Sequence, residues 1–315
     1  MEMIEFEHVT KEYNDNRALD DVSVKIDKGD FVFLVGPSGA GKSTFIKLIL
    51  KEIDPDSGSI KVKGTEVTTL SNRKIPGHRR NIGIVFQDFR LLPHKTVYEN
   101  VAFAMEITHQ SKRAIKRNVP QALALMGISE YAGKYPTELS AGEQQRVAIA
   151  RAIVNKPTVL IADEPTGNLD PVTAWEIMKL LEEINARGTT IVMVTHAKDI
   201  VDRMQKRVIV IENGKIVRDE FGTYGLGGKR ASAIEPDPYM EDDFNEAVAD
   251  DYAGSRAGQS LRRDGEVFSR HTTEMPKRAL ENELENNSAA GEDSIDEASV
   301  EDAFAKAERL LAKHD

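Results

Sequence analysis

The run Gly36-Pro37-Ser38-Gly39-Ala40-Gly41-Lys42-Ser43, followed by Thr44, constrains this chain more than any other stretch. It fits the spacing G-x-x-x-x-G-K-[S/T], and its flanks are of the right kind. Phe31-Val32-Phe33-Leu34-Val35 reads as a short buried strand, and Phe45-Ile46-Lys47-Leu48-Ile49-Leu50 as a helix leading away from the loop. Glycines at 36, 39 and 41 let backbone N–H groups turn inward onto an anion with no Cβ in the way. The helix beginning near Lys42 adds the partial positive charge of its N-terminus. In such a loop Lys42 reaches the outer phosphates of a nucleotide, and Ser43 offers its hydroxyl to Mg²⁺.

A phosphate loop by itself names no reaction. The chemistry also asks for a carboxylate near the metal, at the end of a buried strand. Val159-Leu160-Ile161-Ala162-Asp163-Glu164 supplies it: Asp163 at the strand end to hold the metal, Glu164 just beyond to orient water or take its proton. A third stretch, Leu139-Ser140-Ala141-Gly142-Glu143-Gln144-Gln145-Arg146, sets a serine and a glycine at the front of a helix read over 143–153. Taken alone, this is either an anion-attracting terminus or an ordinary serine N-cap.

The rest of the chain supports an α/β reading. Ile4–Val9 and Val22–Ile26 alternate apolar with polar residues, as half-exposed strands do, with a turn over 11–16. Ser59–Gly64 and Asn81–Gln87 are further strands. From about Phe89 to Glu138 the pattern is mainly helical, with one helix over 97–105 and another beginning at Pro120. Strands over 157–162 and 189–194 enclose a helix over 174–184, an order that implies parallel pairing. Arg207–Ile211 and Lys215–Val217 around Asn213-Gly214 form a hairpin.

Past Gly222 the composition changes. Four glycines within 222–228 read as a linker. The expected organisation is a domain over 1–222 with a helical part about 89–152, a flexible acidic segment over 223–293, and a short amphipathic helix over 294–313. That helix rests on Ser294-x-x-Glu297 and on Val300, Ala303, Phe304, Ala307, Leu310 and Leu311 along one face. The net charge of −10 belongs to this end: from Lys229 onward 22 acids face 11 bases, which leaves the first 228 residues at +1. Nothing there forms a nucleic-acid footprint. There is no cysteine, which suits a reducing compartment. Met1–Phe6 lacks a signal peptide's basic start and apolar run, and no apolar stretch approaches the ~20 residues that cross a bilayer.

Together the phosphate loop, the Ser140–Gly142 turn and the Asp163–Glu164 strand resemble the ATP-binding-cassette (ABC) ATPase family, over roughly residues 3–220. The resemblance implies a P-loop fold with a mixed-sheet core, an antiparallel β subdomain and a helical subdomain. It implies ATP and Mg²⁺ as ligands. Further positions then match in order: Tyr13 as the aromatic stacking on adenine, Gln87 as the glutamine that touches Mg²⁺ and water, Gly167-Asn168-Leu169-Asp170 as the D-loop, and His196 as the γ-phosphate contact. The signature turn departs from the common pattern, with Ala141 for glycine and Glu143 for glutamine. In this family the signature of one subunit covers ATP held by another. A chain carrying both halves is therefore expected to form a homodimer with two equivalent sites, Ser140, Gly142, Glu143 and Asp170 completing the partner's.

Asp163-Glu164-Pro165-Thr166-Gly167-Asn168-Leu169-Asp170-Pro171 is similar to one branch of the family, that of cell-division, lipoprotein-release (LolD) and MacB-type export ATPases. Ile75–Gly83, Val85–Leu92 and Thr96–Ala102 look most like its cell-division members. The resemblance implies an FtsX-like polytopic membrane partner, docked near Phe86, Phe89, Leu91 and Leu92. This places the chain at the cytoplasmic face of the cell membrane, held there indirectly, and signalling to cell-wall hydrolases. A transporter subunit for lipoprotein or drug export is the alternative. DNA- or ribosome-acting ABC ATPases usually carry coiled-coil insertions or tandem cassettes, and this chain has neither.

Overall fold

The order of the strands at the centre of the molecule explains why the sequence spreads its key residues over more than 150 positions. The structure, a computed structural model, describes residues 1–14 and 16–224, all within the first of the chain's two units, Met1–Asp237. Apart from Thr223 and Tyr224, the acidic segment and the amphipathic stretch expected over 294–313 lie outside the described residues.

The chain begins with two long antiparallel strands, β1 (Glu2–Tyr13) and β2 (Asn16–Asp27), whose inward positions Ile4, Phe6, Leu19, Val24 and Ile26 are buried. β1 runs on through the stretch expected to be a turn; the reversal is left to Asn14, at φ 52°. Next come β3 (Phe31–Val35), buried at every position, and α1 (Lys42–Ile49). β4 (Ser57–Val62) and β5 (Thr65–Glu66) then join the first pair in an antiparallel sheet ordered β2-β1-β4-β5. Phe6 of this sheet stacks on Phe45 of α1, with ring centroids 4.3 Å apart and the planes 7° from parallel. The contact fastens the phosphate-loop helix to the sheet below it.

After α2 (Ile75–Arg79) and β6 (Ile82–Val85) the chain leaves the sheet for three mutually packed helices, α3 (Val97–Glu106), α4 (Lys112–Leu125) and α5 (Ala141–Ile153). Thr96 and Glu99 close a capping box on α3. The buried Asn100 side chain bonds the backbone of Leu92, Lys95 and Thr96, fixing the way in. α4 corrects the expectation of a helix starting at Pro120: it begins at a Ser111 cap, and Pro120 lies inside it. A proline in a helix interior costs about 3 kcal/mol or more. Val119, Ala122 and Leu123, buried against the core on either side of Pro120, offset that cost.

β7 (Val159–Asp163), α6 (Pro171–Ala186), β8 (Thr190–Val194), α7 (Lys198–Met204), β9 (Arg207–Glu212) and β10 (Lys215–Phe221) complete the described chain. The second sheet runs β10-β9-β3-β8-β7-β6. Its five strands β9, β3, β8, β7 and β6 are parallel, and β10 pairs antiparallel with β9 as the expected hairpin. The architecture is thus the expected mixed sheet beside an antiparallel sheet, with a set of helices inserted between β6 and β7.

Candidate nucleotide site

Because β3, β8, β7 and β6 are neighbours and parallel, their C-terminal ends lie side by side. Every one of those ends carries a singled-out residue: the Gly36–Ser43 loop after β3, His196 after β8, Asp163 and Glu164 at the end of β7, and Gln87 after β6. In open α/β sheets this edge is where ligands bind.

Two glycines shape the loop after β3. At Gly36 φ is 147°, and an added Cβ would lie 2.0 Å from the Ile211 carbonyl oxygen. At Gly41 φ is 112°, and a Cβ would lie 2.1 Å from that of Ala18. Pro37, Ser38 and Gly39 form the exposed crest, while Ala40 and Thr44 are buried. Lys42 folds back over the loop: its Nζ donates to the carbonyls of Gly36 (2.9 Å) and Pro37 (2.8 Å). Burial pushes its ammonium down from the ordinary lysine value, against the opposing charges of Glu164 and Asp163. α1 has no side-chain cap and no acid in its first turn, and Ser43 stands exposed there. Uncapped N–H groups, an inward ammonium and a cradle that a Cβ would fill suit a polyphosphate. The hydroxyl, amide and carboxylate oxygens of Ser43, Gln87 and Asp163 are hard donors of the kind Mg²⁺ takes.

Across from the loop, Glu164 adopts φ 47° and donates its N–H to the Val194 carbonyl at 2.9 Å. His196 Nε2 lies 3.0 Å from Glu164 Oε1, so the structure brings these two together. Gln87 lies against the turn after Glu164: a Cβ at Gly167 would be 3.1 Å from its Nε2, and Asn168 Nδ2 donates to its carbonyl at 3.2 Å. Burial holds the Asp163 carboxyl above its usual range and the Glu164 charge adds to this, with Lys42 opposing. A folded-state pKa above the unfolded one means that ionisation costs stability. The loss sets in as pH rises past the ordinary carboxylate value and is complete above the raised one. Asp163→Asn is therefore expected to raise the melting temperature of the nucleotide-free protein at neutral pH and to leave it nearly unchanged at about pH 3, below both values. Calorimetry at the two pH values checks this, and a lower neutral-pH melting point contradicts it.

The other singled-out residues make their bonds elsewhere. Tyr13 ends β1, a residue 43% exposed, with Lys11 Nζ 5.6 Å from its ring centroid. Ser140 caps α5, its hydroxyl donating to Glu143 Oε2 (2.9 Å) and accepting from the Glu143 N–H (3.3 Å). Gly142 is tight for a local reason, since a Cβ there would stand 2.5 Å from Thr173 Cγ2. Asp170 caps α6, accepting from the N–H groups of Val172 (3.1 Å) and Thr173 (3.0 Å).

Two residues of α5 that the sequence reading passed over hold segments of the site. Arg151 donates to the carbonyls of Arg90 (2.5 Å) and Phe89 (2.8 Å), two successive residues at φ 46° and 59°. It does so without a carboxylate against it in these bonds; burial and the nearby Arg90 charge push its guanidinium down to about 10. Gln145, wholly buried, donates to the Pro165 carbonyl at 2.6 Å. Neither carries a local mark of this in the sequence; the packing of α5 against two loops supplies it.

Comparison with known proteins agrees with this geometry. The ABC transporter family model matches residues 19–167. The Cell division ATP-binding protein FtsE of Bacillus subtilis (strain 168) is 57% identical over 225 residues, 71% of this chain and 99% of that protein. The chain belongs to the FtsE-type ABC ATPases. An FtsE protein from Mycobacterium tuberculosis (strain ATCC 25618 / H37Rv) is 56% identical over 227 residues, again 71% of this chain and 99% of the relative. Escherichia coli (strain K12) FtsE is 46% identical over 215 residues, 68% of this chain and 97% of the relative. Among solved structures, a dimeric post-hydrolysis state of the ATP-binding cassette MJ0796 bound to ADP and Pi is 34% identical, with a TM-score of 0.62, covering 72% of this chain and all of the other. CbiO1 from Clostridium perfringens, part of the complex cbiONQ, is 30% identical with a TM-score of 0.66, covering 82% and 98%. This FtsE-type chain is accordingly an ATPase.

Proposed function

We propose that this chain is the ATP-hydrolysing subunit of a cell-division complex of the FtsEX kind, closing as a homodimer on Mg-ATP and transmitting that closure through an FtsX-like polytopic membrane protein to cell-wall hydrolases. The observation that carries the reading is the row of site segments along one sheet edge, in a chain so similar over the whole length of FtsE relatives. Lys42 and the N–H groups of the 36–44 loop hold the β- and γ-phosphates, and Tyr13 offers its exposed ring to the adenine. Ser43, Gln87 and Asp163 hold Mg²⁺, which when bound neutralises charge on the β- and γ-phosphate oxygens. Glu164 takes a proton from the attacking water as the water oxygen bonds to the γ-phosphorus and the bridging P–O bond breaks. His196, 3.0 Å from Glu164, orients that carboxylate and faces the transferred phosphoryl group. Ser140 and Gly142 of the second copy supply donors on the other side, with Glu143 and Asp170 shaping their turns.

The membrane contact is indirect in this reading. Among the described residues no helix is long and apolar enough to cross a bilayer. Phe86, Phe89, Leu91 and Leu92, all half-buried around the Arg151-held segment, offer an apolar seat for a partner's helix. The test is affinity purification of the full chain from detergent-solubilised membranes. A single four-helix membrane protein is the expected companion. A lipoprotein- or drug-export permease in its place redirects the function to the LolD/MacB branch, and the absence of any membrane companion overturns both.

A further inference from the structure

We infer that Gln145 is a positioning residue for hydrolysis, setting the place of Glu164 from inside helix α5; the inference rests on the reading of Glu164 as the proton acceptor. The need for such a residue follows from the backbone. Glu164 sits at φ 47°, a left-handed conformation that side chain-bearing residues keep only where their surroundings hold them. On its upstream side the hold is evident, since Asp163 pairs in register with Val194 and the Glu164 N–H donates to the Val194 carbonyl at 2.9 Å. Downstream the Glu164 carbonyl accepts from the Gly167 N–H at 3.1 Å, and between the two comes Pro165, which has no N–H, so its carbonyl is its one backbone handle. That carbonyl accepts from Gln145 Nε2 at 2.6 Å.

The chemistry of Gln145 argues against simple core filling. Its side chain is fully buried, yet the other half of its amide, Oε1, has no hydrogen-bond partner among the described residues. A buried amide satisfied on one side only is a poorer core element than an apolar side chain of equal length. What the glutamine does that methionine cannot is donate to Pro165. Gln145 also lies on the helix that Ser140 caps, one and a half turns in. The turn proposed to meet a second subunit's nucleotide and the carbonyl next to this subunit's own base are thus joined by one helix and one hydrogen bond.

The test is Gln145→Met in the full-length chain, with steady-state ATP hydrolysis and melting temperature measured together. The expected result is kcat lowered about tenfold, KM for ATP within about twofold of the parent, and a melting temperature unchanged or raised. In a Glu164→Gln background the same substitution is expected to cause no further loss, because the group it positions is gone. Wild-type turnover by Gln145→Met overturns the inference, as does a tenfold loss that persists in the Glu164→Gln background. So does a joint fall in kcat, ATP affinity and melting temperature, the mark of a residue that only holds the core together. Gln145→Leu is a second apolar replacement; failure of both variants to fold assigns Gln145 to the core and overturns the inference too. If Glu164→Gln alone keeps wild-type turnover, the reading of Glu164 as base falls first and takes this one with it.

Discussion

In a Glu164→Gln variant, ATP turnover is expected to fall by roughly 10²–10⁴-fold, the range a positioned proton acceptor contributes, while Mg-ATP stays bound. The substitution is isosteric. The glutamine oxygen can still accept from His196, now 3.0 Å from Glu164 Oε1, so the local packing survives. What disappears is the capacity to take a proton. The 36–44 loop, with Lys42 bonded to Gly36 and Pro37, lies on a different strand end and keeps its shape. Removing one negative charge beside Asp163 also eases the repulsion that helps hold that carboxyl high. Binding without hydrolysis leaves a long-lived ATP state. Size-exclusion chromatography with saturating Mg-ATP is therefore expected to show a dimer for this variant and a mixture relaxing to monomer for the parent. Undiminished turnover would discard Glu164 as base, and a variant that stays monomeric at saturating ATP would discard the dimer.

Gly36→Ala is expected to be the most damaging single methyl in the described part of the chain. Two costs coincide. The backbone is at φ 147°, where side chain-bearing residues carry roughly 1–3 kcal/mol of strain. The new Cβ would also stand 2.0 Å from the Ile211 carbonyl, and that oxygen cannot simply retreat, because β9 is paired with β3 through Leu34–Ile209 and Val35–Val210. Forcing backbone apart in a packed core costs about another 1–3 kcal/mol. A total of about 2–6 kcal/mol is a large share of the ~5–15 kcal/mol that holds a typical domain. Urea unfolding reads the loss directly. ATP affinity falls with it, since Gly36 supplies one of the two carbonyls that hold Lys42. Gly39→Ala is the control: at φ 76° it is strained, but open space surrounds its Cβ, so it should cost about 1 kcal/mol. Equal unfolding midpoints for Gly36→Ala and the parent would show that β9 yields more readily than its pairing implies.

The sequence made the ends of four strands readable because each is a short buried run that stops at a chemically pointed residue. Phe31–Val35 stops at glycine and Val159–Ala162 at two acids. It did not reveal that β3 lies between β9 and β8. Parallel neighbours meet through long crossovers, and a strand buried on both faces carries no local mark of its partner. Pro120 misled because proline is common at helix starts; the packing of Val119, Ala122 and Leu123 carries α4 through it. Gln145 and Arg151 were hidden for the opposite reason. Polar residues along a helix read as its wet side, and nothing local distinguishes an amide facing water from one facing a proline carbonyl. Gly142 has a reason of its own to be glycine that the sequence does not display, the approach of Thr173.

The posture of Lys42 bears on affinity. Its four-carbon stem is packed into the fold and its ammonium is drawn out of bulk water against two backbone dipoles. Freezing a long cationic side chain and stripping its hydration are usually borne on association and subtract from affinity. Here folding has absorbed them. An arriving triphosphate exchanges one set of oxygen partners for another, so less of the ordering cost falls on binding.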